Sequence, residues 1–235
     1  MKIGIIGAMA VEVEQLKKSL KDARESVSGG LTFTEGLLGG TEAVIVQSGV
    51  GKVNAALCAQ RLILQYSVGC IINTGIAGAM ASGLQPLDFV ASTDALYHDM
   101  DATAFGYKAT EIPQMGCSDF KADPKLISAA KNAFPRIPEF KDHKLIEGRI
   151  ASGDQFISDK ATKEKIKKTC NPSCVEMEGA AIAHAAYLNQ TPFVIIRCMS
   201  DLADDSYEST YSFNEETAAK MSVSLVLEMC SEFSE

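Results

Sequence analysis

The chain is poor in the residues that metal and triad chemistry draw on. It has three histidines, His98, His143 and His184. None stands at H-x-x-x-H spacing, which leaves little material for histidine ligation or a serine-histidine triad. Its cysteines, Cys58, Cys70, Cys117, Cys170, Cys174, Cys198 and Cys230, form an odd set without C-x-x-C and fall mostly inside apolar stretches. That is the usage of reduced, space-filling thiols, so neither a disulfide framework nor a zinc site is expected. Positive charge is short as well: 22 basic residues against 30 acidic ones give a net charge of −8, the wrong sign for a protein that wraps a phosphate backbone. No apolar run approaches the roughly 20 residues of a membrane helix. The start, Met1 to Gly7, turns acidic and helix-like without an A-x-A cleavage pattern, so a cytoplasmic location is the expectation. No repeat, low-complexity tract or Pro/Ser linker interrupts the chain. At 235 residues, 46% hydrophobic and 22% charged, it suits one large α/β domain over residues 1–235 and excludes disorder as the main state.

What is present is an alternation of short β-branched apolar runs with longer helical patterns, which predicts β-α units feeding a mixed, mostly parallel twisted sheet in a three-layer α/β/α arrangement. Strands are expected at Lys2–Ile6, Thr32–Leu38, Ala43–Gln47, Cys70–Asn73, Phe89–Ser92, Leu145–Ala151, Ser173–Glu176 and Phe193–Cys198. Helices are expected at Val11–Leu20, Val53–Gln65, Pro124–Phe134, Asp159–Lys168, Gly179–Asn189 and Asn214–Phe233. The long irregular segment Tyr97–Asp123 reads as a lid or contact surface.

In open parallel sheets ligands sit beyond the carboxyl ends of the strands, so the residues following each strand carry the functional information. Those endings are Gly7-Ala8-Met9-Ala10-Val11-Glu12, Ser48-Gly49-Val50-Gly51-Lys52, Asn73-Thr74-Gly75-Ile76-Ala77-Gly78, Ser152-Gly153-Asp154-Gln155-Phe156-Ile157, Val175-Glu176-Met177-Glu178-Gly179 and Arg197-Cys198-Met199-Ser200-Asp201. Glycines, acids and one arginine converge there. The first turn lacks G-x-G-x-x-G, and Gly49-Val50-Gly51-Lys52 is followed by valine instead of a magnesium-binding hydroxyl. Dinucleotide and P-loop chemistry are therefore unsupported.

These segments, together with Thr103-Ala104-Phe105-Gly106-Tyr107, occur in the order seen in 5′-methylthioadenosine/S-adenosylhomocysteine nucleosidases, and the chain resembles that family from end to end. The resemblance implies a nucleoside phosphorylase-like fold and hydrolysis of the N-glycosidic bond of 5′-thio-substituted adenosines, without metal or organic cofactor. The chemistry agrees with the residues: departure of the base wants an acid at the purine and a second carboxylate for the water, and Asp201 and Glu12 are available. By resemblance, Asp201 protonates adenine N7, Ser200 orients it, Glu12 accepts the proton of the attacking water and Arg197 helps hold Glu12. Glu178, with Glu176 beside it, would take the ribose hydroxyls while Met177 packs on the sugar. Phe156 would stack on the purine, and the Ile157 backbone would read its edge. Met9, Val50 and Phe213 would line the sugar and thioether side, with Ile76, Ala77 and Gly78 also at the ligand. Phe105 and Pro113 resemble residues that reach a neighbouring subunit's pocket, which implies a homodimer.

Taken singly, Glu12 reads as an acid favoured by the dipole of a helix's first turn, and Ser200-Asp201 reads as an N-cap. Arg197 inside an apolar strand is harder to explain that way, because a buried guanidinium needs an acidic partner. Three other functions fit part of the pattern: a phosphorylase of the same fold, a relative acting on futalosine-type nucleosides, and a non-catalytic nucleoside sensor. The absence of any Arg or Lys before Lys17 in the first turn, with Glu12 there instead, favours water over phosphate.

Overall fold

The computed structural model describes residues 1–204 and 207–233, and of 207–213 the backbone only. In chain order the elements are β1 (Ile3–Gly7), α1 (Glu14–Lys18), β2 (Lys21–Ser28), β3 (Leu31–Leu38), β4 (Thr41–Gln47), α2 (Lys52–Tyr66), β5 (Cys70–Ala79), β6 (Phe89–Tyr97), β7 (Phe120–Lys121), α3 (Pro124–Ala133), β8 (Leu145–Ser152), α4 (Lys160–Cys170), β9 (Cys174–Glu176), α5 (Gly179–Leu188), β10 (Phe193–Asp201) and α6 (Tyr207–Ser231). Helices α2 and α5 pack together over one face of the sheet, and α6 with α3 and α1 covers the other, giving three layers. No helix among the described residues is long and apolar enough to cross a membrane.

The sheet is mixed. Parallel ladders join β4–β1–β5–β10 and β6–β8–β9, and antiparallel ladders join β2–β3–β4, β10–β6, β5–β9 and β6–β7. Because β5 pairs with both β9 and β10, the path β5–β10–β6–β8–β9 returns on itself and closes a ring of five strands. The sequence pattern suggests an open sheet. Closure follows from the length of β5, whose expected end at Asn73 is passed by six residues, so that Gly78 and Ala79 meet Val175 and Cys174.

Local chemistry sets the element boundaries. Asp123 caps α3, accepting from the N–H groups of Lys125 at 2.8 Å and Leu126 at 3.1 Å, with Pro124 in the first turn. Asp159 caps α4 through the Thr162 N–H at 2.8 Å. The expected helix Val11–Leu20 is broken into a 3₁₀ turn, Ala10–Glu12, and the short α1. The Glu12 side chain folds back onto the N–H groups ahead of it, and Val13 leaves helical geometry. Strand β2 has no counterpart in the sequence reading: it is exposed nearly throughout, at the sheet edge, so burial imposes no alternation on it. The segment Tyr97–Asp123 contains a 3₁₀ turn at Thr103–Phe105, a bridge between Ile112 and Cys117, and β7.

The core lies between sheet and helices, with Phe33, Phe89, Phe120 and Phe140 wholly enclosed. All of β10 is buried, Arg197 included. A charged residue placed so deep marks the part of the sheet that serves chemistry instead of packing.

Candidate active site

The ends of β1, β5, β9 and β10 open on one cavity, with roughly 540 Å³ of empty space counting its open mouth. Met9, Glu12, Val50, Ile76, Ala77 and Gly78 line one part of it. Phe156, Glu176, Met177, Glu178, Ser200 and Asp201 line the rest. Ile157 borders the adjoining recess beneath Phe156 and Asp201.

Glu12 is almost fully buried. One carboxylate oxygen accepts from the N–H groups of Ala8 at 2.7 Å and Met9 at 2.9 Å, and the other accepts from the Ile76 N–H at 3.2 Å. Burial raises its pKa above the ordinary value, outweighing the Arg197 charge and these three donors, which lower it. Gly75 makes the arrangement possible. A Cβ on that residue would lie 2.6 Å from Glu12 Oε1 and 3.1 Å from Arg197 Nη1, so only a bare α-carbon lets the acid and the guanidinium flank the strand.

Arg197 serves chiefly a different acid from the one expected. Its Nη2 donates to Glu176 and to Asn73 Oδ1, the latter at 2.6 Å, and its Nη1 donates to the Ile196 carbonyl. It reaches Glu12 through its field, with no direct hydrogen bond. Burial pulls its pKa down, but Glu176, Glu178 and Glu12 together hold it above the ordinary value, and it stays a cation.

Glu176, expected at the ribose, has both oxygens engaged within the protein. Oε1 accepts from Ser152 Oγ, and Oε2 accepts from Arg197 and from the N–H groups of Glu178 at 3.1 Å and Gly179 at 2.7 Å. It anchors the start of α5 while still lining the cavity. Glu178 keeps one oxygen on the Gly51 N–H at 2.8 Å and the other 4.0 Å from Arg197 Nη2. Burial and then the adjacent Glu176 raise its pKa to about 7.

Asp201 closes β10. Its Oδ2 accepts from Ser200 Oγ at 2.8 Å and its Oδ1 from the Ala203 N–H at 2.7 Å. Desolvation raises its pKa against these two bonds, with Asp204 adding to the rise and Lys163 opposing it. Ser200 Oγ also lies 3.4 Å from the Ala77 carbonyl, so the hydroxyl has a second acceptor whenever Asp201 carries its own proton.

Phe156 is half-exposed over the cavity. Phe105, 85% exposed, and Pro113 do not line the cavity of their own chain. The side chain of Phe213 lies outside the described residues. The sequence reading missed Ala8 and Val175 at the cavity wall, and Asn73 and Ser152 behind it. Asn73 carried a usable signal, because an amide ending an apolar strand needs a buried partner; here it also donates to the Ile6 carbonyl at 2.9 Å.

Comparison with known proteins is consistent along the whole chain. A family model described as Phosphorylase superfamily matches residues 2–231. The chain is 42% identical over 234 residues to a 5′-methylthioadenosine/S-adenosylhomocysteine nucleosidase of Colwellia psychrerythraea, covering 97% of this chain and 95% of the relative. The crystal structure of a nucleosidase from that species in complex with adenine aligns with a TM-score of 0.94 at 41% identity, over 99% of this chain and 95% of that one. The nucleosidase of Neisseria meningitidis in complex with methylthio-immucillin-A aligns at 0.93 and 38% identity, over 98% and 99%.

Proposed function

The chain belongs to the 5′-methylthioadenosine/S-adenosylhomocysteine nucleosidases, N-glycosidic hydrolases of the phosphorylase superfamily, and from that premise we propose that it cleaves both nucleosides, and 5′-deoxyadenosine, to adenine and the matching thioribose or 5-deoxyribose. The proposed setting is methionine salvage and methyl-cycle recycling in the cytoplasm, with residues 1–235 acting as one domain. The reaction draws on no metal or organic cofactor.

The observation that carries the reading is the seat of Glu12. Its carboxylate occupies the N–H groups of Ala8, Met9 and Ile76, donors a phosphate nucleophile would need, and its charge repels an anion while suiting water. Along β5, Glu12 is held at Ile76 and Asp201 faces Gly78. The two acids thus approach the same short stretch of β5, from which the reacting sugar carbon and its water would be flanked on either side.

In this mechanism Phe156 stacks on the purine and the Ile157 backbone reads its edge. Protonated Asp201 gives its proton to N7 as the C1′–N9 bond breaks, and Ser200 Oγ, hydrogen-bonded to that carboxyl group, keeps the acid in line. Water adds to C1′ and loses a proton to Glu12. Glu178 takes the 2′- and 3′-hydroxyls and Met177 packs on the sugar, while Met9 and Val50 line the sugar and thioether side and Ile76, Ala77 and Gly78 form the strand wall of the site. Phe105 and Pro113 complete the pocket of a second copy in a homodimer, which fits their position away from their own cavity.

Purified protein in phosphate-free buffer should release adenine from 5′-methylthioadenosine at an undiminished rate. Turnover that requires phosphate would make it a phosphorylase, and turnover confined to futalosine-type nucleosides would move the substrate assignment. Gly75→Ala should fold normally yet lose activity by about a hundredfold, the scale of an ångström-sized misplacement of a reacting group. Unchanged kcat in that variant would mean that Glu12 can yield to the new Cβ without consequence.

A further inference from the structure

Three charged side chains that the proposed reaction leaves unused meet at the start of α2. Lys52 Nζ lies 2.6 Å from Asp99 Oδ2 and 3.6 Å from Asp154 Oδ2. The Lys52 N–H donates to Asp154 Oδ1 at 2.9 Å, and the Asp154 N–H donates to Asp99 Oδ2 at 3.1 Å. The ammonium also sits 5.5 Å above the centre of the Tyr97 ring.

The three residues come from three different turns. Lys52 begins α2 directly after Gly51, whose N–H is bound to Glu178. Asp154 follows β8 and stands two residues before Phe156. Asp99 follows β6, beside His98, whose ring lies so close under the 153 turn that a Cβ on Gly153 would meet it at 2.4 Å. Without a cation the two aspartates would repel across this junction, and only Lys52 is bonded to both among the described residues.

We propose that Lys52, bridging Asp99 and Asp154, is a positioning residue for substrate binding: it ties the Gly51 turn that holds Glu178 to the Gly153–Phe156 turn, so that the ribose and purine sites keep a fixed separation. This rests on the nucleosidase reading. Lys52 touches neither reacting atom, so its contribution falls on ground-state binding and transition-state binding alike, and appears in KM with kcat preserved.

The test is steady-state adenine release from 5′-methylthioadenosine by the full-length wild type, Lys52→Met, Lys52→Arg, Asp154→Asn and the double variant Lys52→Met/Asp99→Asn. Lys52→Met should raise KM about tenfold with kcat within about threefold of wild type. Lys52→Arg, which keeps the charge, should restore KM. The double variant should recover part of the loss, because removing one aspartate charge relieves the repulsion that the missing cation exposes, a coupling that a general packing defect would not produce. Asp154→Asn keeps an oxygen for the Lys52 N–H and should raise KM less than Lys52→Met; it serves as the second reading if Lys52→Met fails to fold. Unchanged KM in both single charge-removing variants, a loss confined to kcat, or a double variant no better than Lys52→Met would overturn the assignment while leaving the nucleosidase reading intact. Silence of the wild type would overturn both.

Discussion

Asp201→Asn should fold as the wild type does and lose adenine release by a factor on the order of 10²–10⁴, the usual worth of a positioned general acid. The amide fills the same space, its oxygen accepting from the Ala203 N–H and its NH2 donating to Ser200 Oγ, which turns its own proton to the Ala77 carbonyl, but it has no acidic proton to place on N7. Glu12→Gln should cost a comparable factor for the opposite reason, because the amide cannot take a proton from water. The wild-type pH profile gives the sign. Desolvation raises the Asp201 pKa, so the proton donor is present on the acid side, and the limb that Asp201 controls falls as pH rises. That limb should vanish in Asp201→Asn and persist in Glu12→Gln. Rates with either variant within a few-fold of wild type would remove that carboxylate from the mechanism.

Arg197→Met should be the most damaging substitution for stability, costing about 3–5 kcal/mol in urea unfolding, because it leaves buried acids without their cation. Arg197 is 2% exposed and bonded to Glu176, with Glu178 nearby. The loss should grow with pH. Glu178 already shows the direction: its pKa stands at about 7 against an ordinary 4.5, so the folded chain holds a proton that the unfolded chain releases. The stability lent by that proton is full below the unfolded value and is lost as pH rises through about 7. Arg197 holds the pKa values of Glu178 and Glu12 down, so its removal pushes both further up, and Arg197→Met should recover much of its deficit in acid. Arg197→Met/Glu176→Gln should be more stable than Arg197→Met alone, since it removes the stranded charge. A deficit independent of pH and untouched by Glu176→Gln would locate the damage in lost packing instead.

Legibility in the sequence followed physical rule by rule. The buried strands β1, β4 and β10 announce themselves as continuous apolar runs, because both faces are covered. Strand β2 is silent because its ladder is to β3 at the sheet edge and its side chains are exposed. The break before α1 is invisible to helix periodicity because a tertiary demand, the recruitment of Glu12 to Ile76, overrides local propensity. At the site, the residue types and their places at strand ends were readable, and the cavity gathers Glu12, Glu178 and Asp201 from them. The partner of Arg197 was not readable. That Nη2 meets Glu176 while Glu12 is held by backbone depends on the register that puts Arg197 opposite Gly75, and register is a property of the paired sheet.

The ring of strands β5–β10–β6–β8–β9 has a mechanical consequence. A closed ladder has no free edge along which to slip. Asp201, Arg197, Glu176 and Gly75 are all mounted on it. Glu12 is carried differently: it follows β1, which lies outside the hoop and is laddered to β5, and its carboxylate takes a 3.2 Å bond from the Ile76 N–H of the hoop. In the proposed reaction the two acids therefore stand on different strands of one sheet, the acid for the purine on the closed ring and the acid for the water on the strand that flanks it.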